Sequence, residues 1–339
     1  MANLLPPEQT IRSAMGEYDT RLGALCVAYM LAWGLYGVMS IQSYRYYHIF
    51  VKDPLWIKTL VGGLWVLETL QLALIGSFLY FWVITNYANP AILADTTWTY
   101  NIGILITNTI VIIVQLFLAR RVWILSKKNY LLTGVIIALS LCYYGLELEV
   151  KVRTFQLVKV ELFYKFQTTA SVGLGCAAVA DLIIAVSLSW YLLRSRTGME
   201  VTDSVVNKLI LYAMNTGTLT AIVVLVDMVC FLTMPKNLIH IAFNVVSGKL
   251  YTNSLLATLN YRDTVRSQIP HATNRNTTIS LSPISATMAP TVGAGPVFAT
   301  NSKFDSSVSA GGHSLVLSTS EIEDDGIPSA SELKVIDAV

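Results

Sequence analysis

Apolar residues along this chain gather into seven windows, at 22–44, 57–84, 97–119, 129–149, 168–193, 209–234 and 238–259. A helix needs about 20 mostly apolar residues to cross the hydrocarbon core of a bilayer. The pattern therefore predicts seven membrane-spanning helices joined by short connections. Residues 86–90 and 235–237 supply helix-ending side chains, and Asp203 stands where it would cap the sixth helix. No connection is long enough to hold a soluble domain, so ligand chemistry belongs to the bundle or its rims.

Composition points the same way. Of 339 residues, 54% are hydrophobic and 13% charged, against about a quarter charged in ordinary soluble domains. The expected class is all-α, a polytopic membrane protein with a seven-helix bundle over 22–262. A short extracellular segment, 1–21, precedes it; a Ser/Thr-rich cytoplasmic tail, 263–339, follows. That tail has too little apolar surface to fold alone and is expected to be disordered. A net charge of +2 without a long Lys/Arg run gives no sign of a nucleic-acid partner. Cys26, Cys142, Cys176 and Cys230 all fall in apolar segments, where core packing rather than a disulfide framework is expected. Residues 1–21 lack an apolar run, so the first span itself is expected to act as the insertion signal.

Orientation follows from the cations in short loops. Arg45, Lys52 and Lys58 flank the first loop, Arg120, Arg121, Lys127 and Lys128 the third, Arg194, Arg196 and Lys208 the fifth, and Arg262 and Arg266 follow the last helix. They outnumber Arg12, Arg21, Lys151, Arg153, Lys159, Lys165 and Lys236 on the other side. The amino terminus is expected outside, the carboxyl terminus in the cytoplasm, and the membrane to be the plasma membrane. The fourth loop, LEVKVRTFQLVKVELFYKF, alternates apolar and charged residues and admits an outer hairpin or an amphipathic lid.

Glu68, Asp181, Asp227 and Lys249 fall inside predicted spans. Intramembrane charges usually face protein or a water cavity and find partners. A structural ion pair outweighs a substrate path here, because opposite signs are at hand. At about 1.5 Å per residue, Lys249 lies roughly 15 Å from the cytoplasmic end and Glu68 about 16 Å up its helix. Asp181 lies about 18 Å up and Asp227 about 27 Å up, by the same rise. Asp227 is badly matched; in a bundle of sequential helices, helix two approaches helix seven more easily than helix five does, so Glu68 is the first choice of counter-ion and Asp181 the second. Helix seven is polar on two faces, with His240, Asn244, Ser247, Tyr251 and Ser254 on one and Lys249, Asn253 and Asn260 on the other. It should be central. Asn108 and Gln115 in helix three and Asn215 in helix six suit hydrogen bonds between helices, and Ser171, Gly175 and Ala178 suit close packing of helix five.

Several chemistries lack their residues. A lysine in helix seven suggests a retinal Schiff base, but helix three carries no acid and Val245 stands four before Lys249. Four histidines, only His240 of them in a span, exclude a histidine-rich metal site. Val245-Val246-Ser247-Gly248 is not a rhomboid-type Gly-x-Ser-Gly, and no phosphate-binding loop is present. Ala119-Arg120-Arg121-Val122 departs from the acid-Arg-aromatic triplet of rhodopsin-like receptors. Neither a catalytic residue, a cofactor nor a metal is expected.

The chain resembles a family of seven-helix membrane proteins greatly expanded in mushroom-forming fungi and catalogued as a domain of unknown function. The stretches that carry the resemblance are AAVADLIIAVSLSWYLLRSRTG (177–198), TDSVVNKLILYAMNTGTLTA (202–221) and IAFNVVSGKLYTNSLLATLNYR (241–262). A weaker match joins LGALCVAYMLAWGLYGVMSIQSYRYY to KDPLWIKTLVGGLWVLETL over 22–70. The resemblance implies an integral membrane protein of fungal source and supplies no activity, ligand or catalytic residue. It places Asp181, 194–198, Asn215 and 249–260 inside recurring motifs. The functional expectation is a sensor or receptor-like protein; the alternative is a small-solute transporter or channel, against which an odd helix number without a repeated half weighs. Expected partners are the lipid bilayer, an unidentified small ligand, and a cytoplasmic protein at the third and fifth loops.

Overall fold

A computed structural model describes residues 7–86, 97–157, 166–194, 200–234 and 239–268. Along 7–21, 200–206 and 264–268, and at 208, 209, 211–213, 215 and 216, it describes the backbone alone. Among these residues there are seven α-helices: α1 (Pro7–Ile49), α2 (Leu55–Tyr80), α3 (Trp98–Leu125), α4 (Tyr130–Leu157), α5 (Gln167–Arg194), α6 (Glu200–Thr233) and α7 (Ile239–Gln268). All seven fall within one compact unit. The tail past Gln268, with its expected disorder, lies outside the described residues.

Consecutive helices pack against one another, α7 closes back onto α1, and α3 touches both α5 and α7. No residue of α7 from Ile239 to Arg262 is exposed. The bundle is polar within and apolar without. Glu68, Asn108, Gln115, Asp181 and Lys249 are buried, whereas Met30, Leu31, Ile41, Val186, Trp190, Ile222 and Val229 are exposed. Exposed apolar side chains cost nothing in lipid, while an unpaired polar group there costs several kcal/mol, on the order of 2–7.

Among the described residues five helical segments are long and apolar enough to cross a membrane: Leu22–Ile49, Leu55–Thr85, Trp98–Leu125, Tyr130–Gln156 and Gln167–Arg194. In α6 the fully described apolar stretch is Gly217–Thr233. α7 falls short on composition, because its polar side chains are spent on bonds inside the bundle.

Some expected boundaries move. α1 begins at Pro7, so residues 7–21 extend the first helix rather than forming a separate segment. Proline suits a first helical position, where its missing N–H has no role. α6 begins at Glu200, which puts Asp203 inside the helix and not at its cap. α4 runs on to Leu157, so the first half of the fourth loop is helix instead of hairpin. Glu149 and Arg153, paired at 2.6 Å one turn apart, support that extension; residues 158–165 lie outside the described set. The cysteines are free, but Cys142 is exposed and the other three are only half-buried. A thiol faces lipid as cheaply as it faces an apolar core, so burial does not select it.

Candidate functional site

Polar side chains form an axis along α7, and its middle layer holds the lysine. Lys249, fully buried, donates to Glu68 Oε2, to Gln71 Oε1 at 2.7 Å and to the Glu68 carbonyl at 3.3 Å. An ammonium has three protons, and three acceptors meet it. Glu68 Oε1 accepts from Thr252 Oγ1 at 2.7 Å. Gln71 Nε2 donates to Thr107 Oγ1 at 3.3 Å, and Thr107 donates to the Gly103 carbonyl at 3.2 Å. Gly248 admits this packing: a Cβ there would meet Thr107 Cγ2 at 3.2 Å. The amine that a Schiff base would need is thus committed to acceptors on α2.

Two residues further along α7, Tyr251 donates to Asp181 Oδ2 of α5, and Gln115 Nε2 donates to Asp181 Oδ1 at 3.0 Å. Asp181 belongs to a second layer, not to Lys249. Asn253 donates to the Leu35 carbonyl at 3.0 Å and Asn260 to the Gln42 carbonyl at 2.9 Å. Arg45 pairs with Asp263 at 3.3 Å. All three contacts join positions 218 apart, so α1 and α7 run parallel and in register. At the same end Arg262 reaches Asp53 at 2.6 Å and stacks over Phe50 at 4.6 Å. Asn215 lies on α6, and its side chain is outside the described residues.

Toward the opposite end, an open pocket lies between α3, α4, α5, α6 and α7, with about 540 Å³ of empty space including its mouth. Its polar wall is Glu147, Lys151, Asp227, His240, Asn244 and Tyr100; Phe166 and Phe231 supply aromatic faces. Glu147 Oε2 accepts from Asn108 Nδ2 at 3.3 Å, and Asn108 Oδ1 accepts from Tyr143 at 3.1 Å. Lys151 Nζ lies 5.8 Å from the Tyr100 ring centre, and Asn244 Oδ1 is buried without a partner. Asp227, isolated by its depth in the sequence reading, is a wall of this pocket.

Sequence reasoning missed Glu147, Lys151, Gln71 and Thr252. Glu147 and Lys151 sit one helical turn apart, a spacing that signals a continued α4 and was masked by the alternating pattern around it. Among the described residues no group of three or more His, Cys, Asp and Glu side chains is arranged for a metal. A family of unknown function (DUF6534) matches residues 177–264. No curated protein and no solved structure matches the chain. Over its last three helices the chain is therefore similar to that family, in a stretch that holds Asp181, Asn215, Asp227, Lys249 and Asn253 but not Glu68.

Proposed function

We propose that the chain is a seven-span membrane sensor that takes a small ligand bearing a positive charge in the pocket lined by Glu147 and Asp227. That pocket carries the reading: two carboxyl groups against one lysine stand beside aromatic rings, a set of acceptors and faces suited to an ammonium group. The parallel register of α1 and α7 supports an odd number of crossings, and the inward polarity of α7 explains its low hydropathy. The cations of the short connections support a reading with the pocket outside and the carboxyl terminus in the cytoplasm, in the plasma membrane of a fungal cell. A cytoplasmic protein at the α3–α4 and α5–α6 connections would read the bound state, with no catalysis by the chain itself.

Transport is the second reading, favoured by a separate cavity nearer the inner end. Reconstitution in liposomes distinguishes the two. A panel of small primary amines, with carboxylic acids of matched size as controls, is tested for thermal stabilisation and for flux. Stabilisation by amines that Asp227→Asn abolishes, without flux, is the expected result. Amine flux supports the transporter, and stabilisation by the acids alone removes the charge argument.

A further inference from the structure

The half of the bundle that carries the carboxyl end of α7 contains a second cavity, between α3, α5, α6 and α7, with about 430 Å³ of empty space including its mouth. Its polar wall is Arg121, Asp181, Thr220, Tyr251, Ser254 and Thr258. Arg121 is only 6% exposed, and its Nη2 is buried with no hydrogen-bond partner. Among the described residues no carboxylate stands within ion-pair distance of it. Its nearest compensation is the Phe117 ring, 5.3 Å away. A second guanidinium, Arg262, acts on it through space and is itself committed to Asp53.

A buried cation without a counter-ion is strongly unfavourable. Asp181 shares the wall but spends one oxygen on Gln115 and the other on Tyr251. Thr220 and Thr258 donate to the carbonyls of Gly217 and Leu255 at 3.0 and 2.8 Å. The donors left facing the cavity are the guanidinium and Ser254. We propose that this cavity binds a phosphate group, held by the planar fork of Arg121 with Ser254 as a further donor. The phosphate comes either from a lipid headgroup or free from the cytosol. The site is separate from the amine pocket and shares with that reading only the orientation that makes cytosolic phosphate its free source.

The full chain is purified in maltoside without phosphate buffer, and its phosphorus content is measured. Thermal unfolding is then followed against inorganic phosphate in one arm and phosphatidic acid in mixed micelles in the other. Expected is either phosphorus retained in stoichiometric amount or a concentration-dependent stabilisation, and the responding arm names the source. Arg121→Gln should release the retained phosphorus or weaken binding at least about tenfold, as loss of a charged hydrogen bond implies. Ser254→Ala, a milder change, should weaken it several-fold and decides the matter if Arg121→Gln does not fold. The proposal is overturned by three results: no retained phosphorus with no stabilisation, an effect that both variants preserve, or equal stabilisation by chloride at matched ionic strength.

Discussion

The ammonium of Lys249 meets both the carboxylate and the backbone carbonyl of Glu68, a residue 181 positions away. Both side chains are fully buried, so each is the other's main relief from desolvation. Gln71 and Thr252 then complete the shell around them.

Removing one member strands a buried charge, at a cost of about 3–5 kcal/mol. Lys249→Met and Glu68→Leu should each lower the unfolding temperature and the yield of monodisperse protein. The double variant should recover much of the loss, since an apolar pair needs no solvation. A double variant as poor as both losses combined refutes the coupling.

Asp181 presents a smaller, separable case. Tyr251→Phe withdraws one of its donors while leaving Gln115 in place, and should cost about 1–3 kcal/mol. Combining it with Asp181→Leu should cost less than the two single losses added together. Strict additivity in thermal unfolding would show that the two side chains do not act as a pair.

The α5–α6 contact depends on an absent side chain. A Cβ at Gly217 would fall 2.7 Å from the Ala185 Cβ, closer than carbon atoms pack. Gly217→Ala should therefore destabilise by about 1–3 kcal/mol, the usual cost of overpacking. Ala185→Gly in the same chain should restore part of it. Unchanged stability in Gly217→Ala would mean that the helices part freely.

Register between α1 and α7 is open to chemistry. With cysteines replacing Arg45 and Asp263, a short bifunctional thiol reagent should join the two helices. The pair Arg45→Cys with Asn253→Cys, ten residues out of step, should stay unjoined. Equal crosslinking of both pairs would contradict the parallel, in-register packing.

Topology has a test in the tail. Asn276-Thr277-Thr278 is a glycosylation sequon, and a cytoplasmic carboxyl terminus keeps it unmodified. Protein from a glycosylating eukaryotic host should therefore show no mass shift on glycosidase treatment. Glycan on Asn276 would invert the orientation and put the phosphate cavity, not the amine pocket, outside.

Helix positions were legible along the chain because lipid imposes a length of apolar residues that composition displays directly. Among the described residues five segments meet that demand by themselves, and α7 announces its central place by carrying polar residues on two faces. Depth along each helix, together with the adjacency expected of helices two and seven in a sequential bundle, was enough to choose Glu68 before Asp181 for Lys249. What depth leaves open is azimuth, the direction a side chain faces once the helices are rotated against one another. Tertiary packing decided that Asp181 meets Tyr251, that Asp227 and Glu147 share a pocket wall, and that Arg121 turns into the bundle instead of away from it. Such pairings join residues from different helices, and their energies depend on distances of a few ångströms that no one-dimensional pattern records. The sign and depth of each charge were thus written locally, whereas its partner was chosen by the fold.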